Sequence, residues 1–260
     1  MRIYFDHNLL VNLRCNKFDG LIEKVNSDKK NGHVFVFSPA HLEEIAVSNR
    51  RSSASLDIIQ RDIGFLTGLC GNNSIRPIKG RIFFDTEYPQ ECYDRVIENY
   101  QDNDEAENID RDIIYAAHDN PGGDPKIVNN HDPINIFYSN IVYQEILLKK
   151  LLDEKIITKS EAIDCLSQWP HKILRDRFSA LAATVNLIGN WLEKIGYYRE
   201  NREKSRSRLH DVSHIIYGRY SDFFVSEDQK LIKKSQAIYK ILEIPTKVIS
   251  ICEFIEMEIG

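Results

Sequence analysis

The 260-residue sequence lacks an apolar run long enough to cross a bilayer. Its most apolar stretch, Ala180 to Leu192, is interrupted by Asn186 and Asn190 and falls short of the roughly 20 residues a spanning helix needs. Met1 to Leu10 carry Asp6, His7 and Asn8 where a secretory signal needs unbroken apolar sequence. The expectation is therefore a soluble, cytoplasmic chain with no membrane partner. Cysteine is sparse: Cys15, Cys70, Cys92, Cys165 and Cys252 are scattered and have no CxxC spacing, which argues against a disulfide framework and a cysteine zinc knuckle. Internal repeats and low-complexity segments are absent, as are a phosphate-binding glycine loop and a serine nucleophile elbow. A strong excess of one charge is also missing. The 34 Lys and Arg against 39 Asp and Glu give a net charge of -5, so overall charge selects no partner, although a local basic patch can still contact phosphates.

What is present is ordinary globular material, 42% hydrophobic and 28% charged. At roughly 150 residues per domain, the length allows one large domain or two modest ones. Arg2 to Phe5 is a β-branched and aromatic run ending at Asp6, with Asn8 placed to cap a helix through Leu9, Leu10 and Leu13. His33 to Phe37 reads as a second buried strand, and Ser38-Pro39 opens a helix through Leu42, Ile45 and Ala46. The alternation returns near the C-terminus. There the pattern predicts a helix over Asp211 to Tyr220, a strand over Asp222 to Val225, a helix from Ser226 to Tyr239 opened by a Ser226/Gln229 capping box, and a strand over Thr246 to Ile249 before a short terminal helix. Strands separated by helices predict a parallel sheet. The middle shows helical spacing over Leu56 to Leu69, Glu91 to Ala117, Ile134 to Leu152, Ser160 to Leu166 and Lys172 to Ile195, with a second capping box at Thr158/Glu161 and a clear loop from Asp119 to Pro125.

Four carboxylates fall where such a sheet would present them. Asp6 closes the first strand, Glu44 lies in the helix after the second, Asp211 opens a later helix, and Asp228 follows Phe223-Phe224-Val225. Strand C-terminal ends of a parallel sheet share one edge, where ligands bind. Clustered carboxylates repel one another unless a cation lies between them, and hard oxygen donors suit Mg²⁺ or Mn²⁺. A divalent ion of this kind supports phosphodiester hydrolysis.

These residues resemble the PIN domain ribonucleases. Ile3-Tyr4-Phe5-Asp6-His7-Asn8-Leu9-Leu10 is similar to that family's first strand and acid. Ser38-Pro39-Ala40-His41-Leu42-Glu43-Glu44-Ile45 is similar to its second strand-helix junction, placing the acid at Glu44 rather than Glu43. Asp211-Val212-Ser213-His214-Ile215-Ile216-Tyr217, followed by Ser221-Asp222-Phe223-Phe224-Val225-Ser226-Glu227-Asp228, resembles the third acid, then a strand and the fourth acid. The resemblance implies an α/β, PIN-like three-layer fold whose central parallel sheet is flanked by helices. It implies a discontinuous nuclease domain over residues 1–70 and 200–260; the mainly helical insertion over 71–199 departs from the family pattern, which does not supply its role, and is open to use as a lid, a substrate-binding arm or a dimer surface. It further implies an endoribonuclease with Asp6, Glu44, Asp211 and Asp228 as catalytic and metal-binding residues for Mg²⁺ or Mn²⁺. Asn8 and Ser226 would support them, with helix capping as the alternative role, as would Asp222 at the strand entrance. RNA is the implied substrate, with DNA also compatible. Many family members are toxins of toxin-antitoxin pairs, and others act in RNA processing or phage defence, so the resemblance allows a toxin-like or defence role, an antitoxin or other protein partner, and a homo-oligomer.

The basic stretch from Arg199 to Arg208, through Arg202, Lys204 and Arg206, precedes Asp211. With Arg50, Arg51, Lys230, Lys233 and Lys234 it offers RNA phosphate contacts, or else a solvated face. Two other readings compete. His210 and His214 lie one helical turn apart around Asp211, an arrangement that resembles zinc proteases of the HExxH type or metal phosphohydrolases with an HD dyad. Alternatively, a PIN-like scaffold binds RNA or a protein without cutting.

Overall fold

The computed structural model describes residues 1–52, 56–98, 103–202 and 207–258. Strand β1 (Arg2–Phe5) leads into α1 (His7–Arg14) and α2 (Leu21–Lys30), then β2 (Val34–Val36), α3 (Pro39–Ser52) and α4 (Leu56–Cys70). A hairpin of β3 (Ile75–Ile78) and β4 (Arg81–Phe84) follows. The helical middle comprises α5 (Pro89–Glu98), α6 (Asn103–Asp119), α7 (Pro125–Val128), α8 (Pro133–Ser139), α9 (Ile141–Asp153), α10 (Lys159–Ser167), α11 (Ile173–Asp176) and α12 (Phe178–Ile195). The chain closes with α13 (Ser207–Gly218), β5 (Phe223–Ser226), α14 (Gln229–Ile241), β6 (Lys247–Ser250) and α15 (Ile251–Glu256).

Four strands form one sheet in the order β2-β1-β5-β6, every pair parallel. Its residues alternate between two apolar clusters, as period-two side chains must. Tyr4, Val36, Phe224 and Val248 join one cluster with Val212 and Ile215 of α13, Ile238 of α14, and Leu181, Ile188 and Trp191 of α12. Ile3, Phe5, Phe35, Phe223 and Val225 join the other with Leu9 and Leu13 of α1, Leu21 and Val25 of α2, Ile59 and Ile63 of α4, and Phe254 of α15. The result is a parallel sheet buried on both faces by helices, the only setting in which such sheets are stable. The cluster under α13 and α14 also takes in Phe137, Leu147, Leu151 and Leu174, so helices of the middle continue the packing of that face.

Several local expectations are corrected. Asn8 does not cap α1; Asp6 does, accepting from the Leu9 N–H, while Asn8 sits exposed in the first turn. Ser226 is the last residue of β5 rather than a capping-box residue, and α14 is capped by Asp228 through the Lys230 and Leu231 N–H groups. Helix α13 begins before Asp211, so Asp211 lies in its second turn. The helical run from Ile134 to Leu152 breaks at Asn140, which caps α9 through the Tyr143 N–H. The hairpin, with Ile78 opposite Arg81 and both turn residues Lys79 and Gly80 at positive φ (49° and 78°), is unanticipated.

The Thr158/Glu161 capping box is present in both directions: Thr158 N–H donates to Glu161 at 2.7 Å and Glu161 N–H to Thr158 Oγ1 at 3.3 Å. Thr158→Ala is expected to cost about 1 kcal/mol, read as a fall in Tm of roughly 2–4 °C. An unchanged Tm would show that α10 is held by packing alone.

Candidate functional site

The direction in which the chain leaves the strand changes between β1 and β5. After β1 the chain passes through α1 and α2 on one face of the sheet to β2; after β5 it passes through α14 on the other face to β6. Neighbouring strands whose connections leave in opposite senses mark the switch point of a parallel sheet, where ligands bind beyond the strand C-termini. Asp6 follows β1 directly and Asp228 lies two residues beyond β5.

Ser226 joins the two acids. Its hydroxyl, fully buried, donates to Asp6 Oδ2 and accepts from the Asp228 N–H at 3.0 Å. The other oxygen of Asp6 accepts from Leu9 N–H at 2.7 Å. Burial pushes the Asp6 carboxyl up to about 6, against the lowering effect of its Ser226 and Leu9 hydrogen bonds. The Glu44 carboxylate enters from α3, where Oε1 lies 2.6 Å from Nε2 of His214 on α13. Burial would raise Glu44, but His7, the His214 hydrogen bond and the His214 and His210 imidazoles together hold it down to about 2. His214 Nδ1 in turn lies 2.7 Å from the Tyr4 hydroxyl, which lies 2.7 Å from Ser38 Oγ.

Asp211 is different. Among the described residues its carboxylate makes no hydrogen bond and no ion pair, it interacts with Arg208 through charge alone, and it is raised well above the ordinary range. Burial is the largest cause; Lys234 pulls the other way, and the like charges of Glu200, Asp228 and Glu44 add to the rise. Burial and like charge thus outweigh the cations beside Asp211. As they stand, no three His, Cys, Asp or Glu side chains among the described residues are grouped so as to hold a metal ion.

No family model matches the chain, and neither does any curated protein or any solved structure. Among the described residues, no helix is long and apolar enough to cross a membrane.

The remaining predicted residues fall in several places. Asp222 accepts from Arg2 N–H at 2.7 Å at the start of β5, the opposite end of the strand from Asp6 and Asp228. Arg208 is buried, with Asn190 and Glu193 beside it, and burial lowers it to about 10. Lys230 Nζ donates to the Arg199 carbonyl at 2.8 Å and lies 3.4 Å from Glu200. Lys234 is buried between Glu193 and Glu200 rather than offered to RNA. Arg202 pairs with Asp119. The side chains of Arg50, Arg51, Lys204 and Arg206 lie outside the described residues.

The sequence offers His214 only within the competing zinc or HD reading, and it carries no direct sign of the roles of Tyr4, Ser38, Glu193 and Glu200. Helical spacing carried part of the signal, since Lys234 shares a face with buried Leu231 and Ile238, and Arg208 with Val212 and Ile215. The zinc reading meets a specific obstacle. Both ring nitrogens of His214 are engaged, by Tyr4 and Glu44, so ligation through either requires breaking a buried hydrogen bond.

Proposed function

We propose that the chain is a metal-dependent nuclease of PIN-like architecture that hydrolyses RNA phosphodiester bonds at Asp6, Glu44, Asp211 and Asp228. The observation that carries this reading is Asp211, whose carboxylate makes no hydrogen bond or ion pair among the described residues and whose like-charged neighbours Glu44, Asp228 and Glu200 are opposed by Lys234 and Arg208. Evolution tolerates such uncompensated charge where a ligand supplies the balance. The donor set is all carboxylate oxygen, which fits Mg²⁺ or Mn²⁺ and not the softer metals. Glu44 and Asp228 each use one oxygen in protein hydrogen bonds, leaving the second for a cation once these side chains draw toward Asp211.

When bound, the ion would polarise the phosphodiester and lower the pKa of a coordinated water. The chain's own residues do the rest. Ser226 holds Asp6 and the Asp228 backbone in one register, so the acids after β1 and β5 move as a unit. The Asp228 cap fixes that carboxylate at the N-terminus of α14, where the helix dipole favours negative charge. RNA is the preferred substrate of this reading on the PIN-like pattern of the four acids, and a toxin-like or defence role is compatible with it.

The test is cleavage of labelled total RNA by purified protein with Mn²⁺, with EDTA, and by the Asp6→Asn/Asp211→Asn double variant. Cutting that needs Mn²⁺ and disappears in the variant supports the assignment. Equal cutting by the folded variant would remove these acids from the site, and cutting of DNA but not RNA would reassign the substrate.

A further inference from the structure

We infer that His214 and Tyr4 are positioning residues that aim Glu44, through one buried polar chain linking the three elements that carry Asp6, Glu44 and Asp211. The inference rests on the reading of those acids as a divalent-cation site. Tyr4 lies on β1 just ahead of Asp6, Ser38 immediately precedes α3 and its Glu44, and His214 follows Asp211 by one turn of α13. The chain runs Ser38 Oγ to Tyr4 OH at 2.7 Å, Tyr4 OH to His214 Nδ1 at 2.7 Å, and His214 Nε2 to Glu44 Oε1 at 2.6 Å. Ser38 and Tyr4 are fully buried and His214 nearly so, so a missing link would leave a polar group unsatisfied away from water.

The link to Glu44 has a direction. An ionised Glu44 only accepts, so His214 Nε2–H donates to it. With a neutral ring Nδ1 accepts from the Tyr4 hydroxyl and Ser38 donates to the Tyr4 oxygen; with a protonated ring Nδ1–H donates to Tyr4 and Tyr4 donates to Ser38, and in both cases every link is kept. Beside it, His41 is fixed independently: Nδ1 accepts from Ser38 N–H at 3.1 Å, so Nε2–H donates to the Phe5 carbonyl at 2.8 Å. The rings also confine one another. Tyr4, His41 and His214 pack with centroids 4.8 to 5.6 Å apart, which leaves the His214 imidazole no room to swing. A glutamate on a helix face has several rotatable bonds and wanders unless it is held. Here Oε1 is pinned from below, so Oε2 remains as the donor oxygen. Groups that orient a ligand in this way typically change metal affinity about 10- to 100-fold when removed.

The experiment compares His214→Phe, His214→Gln and Tyr4→Phe with wild type by calorimetric titration of Mn²⁺ and by proton NMR. His214→Phe is expected to raise the Mn²⁺ concentration at half-saturation about 10- to 100-fold. His214→Gln, whose amide still reaches Glu44 as a donor, should recover most of that loss, and Tyr4→Phe should show a smaller rise. A lower Tm in all three variants with unchanged Mn²⁺ affinity would overturn the positioning role while leaving the metal site standing. The NMR arm does not depend on metal. A slowly exchanging downfield His214 Nε2–H resonance should be present in wild type and shifted in Glu44→Gln; its absence would overturn the chain. If wild type binds no Mn²⁺ yet shows that resonance, the metal reading fails and the positioning of Glu44 by His214 stands.

Discussion

Asp211→Asn is expected to make the protein more stable and to abolish cleavage. The two effects share one cause. Asp211 sits among Glu44, Asp228 and Glu200, and burial holds its carboxyl well above the ordinary range, so its ionised form opposes folding at neutral pH. Removing the charge should raise stability by about 1–2 kcal/mol, a size common for stabilising changes at functional sites. The same change removes a donor oxygen and several kcal/mol of transition-state stabilisation, which lowers the rate about a thousandfold or more.

The pH dependence has a definite sign. A carboxyl raised in the folded state binds its proton more tightly there than in the unfolded chain, so wild-type stability falls as pH rises through the interval between the two values. For Asp6 that interval runs from about 4 to about 6; for Asp211 it begins at the same lower limit. The stability advantage of Asp211→Asn should therefore be present at pH 8 and vanish in acid. Thermal unfolding at the two pH values checks this, and a variant less stable than wild type at pH 8 would show that Asp211 makes a stabilising contact.

Lys234→Met is expected to be strongly destabilising. Lys234 Nζ lies 2.5 Å from Glu193 Oε1 and 2.7 Å from Glu200 Oε1, and all three residues are buried. Glu193 Oε2 also accepts the Glu200 N–H at 3.0 Å. Burial would lower the Lys234 ammonium, but the two glutamates hold it above its ordinary value. Removing the cation strands two carboxylates away from water, and breaking a buried ion pair from one side costs about 3–5 kcal/mol. For a chain of this size that corresponds to a fall in Tm of roughly 10 °C. Adding Glu193→Gln and Glu200→Gln should return part of the loss, because the stranded charges then disappear. A single-variant loss below about 1 kcal/mol would show that the glutamates find other partners. The network joins the end of α12 to α14, so the helical middle is tied by charge to the element that carries Asp228.

Much of the sheet was legible because its signal is local. The runs Arg2 to Phe5 and Phe223 to Val225 are β-branched or aromatic, end at polar residues and alternate with helical spacing, and both became central parallel strands. Caps were less legible. Asp6, Asn8, Ser226 and Asp228 are all good capping residues, and the choice among them depends on where the strand hydrogen bonds stop, which tertiary pairing decides. The hairpin was hidden by Pro77, a residue that normally argues against a strand, although Lys79-Gly80 carried a turn signal. Asp6 and Asp228 were legible as acids beyond strand ends, and Glu44 and Asp211 as acids on helices. Their partners were not, because His214 to Glu44 and Lys234 to Glu193 are long-range contacts with no trace in spacing. Charge pattern did not show that Arg208 and Lys234 are buried beside carboxylates, while Lys230 stays half-buried at the surface.

The measurement that tests the central claim most directly is an anomalous-difference map from crystals of the wild-type protein and of Asp211→Asn, both soaked in Mn²⁺. The account predicts a peak within bonding distance of Asp211 and at least one of Glu44, Asp228 and Asp6 in wild type, and no peak there in the variant. A wild-type map with no density among these acids at saturating Mn²⁺, or a peak unchanged in Asp211→Asn, would contradict it.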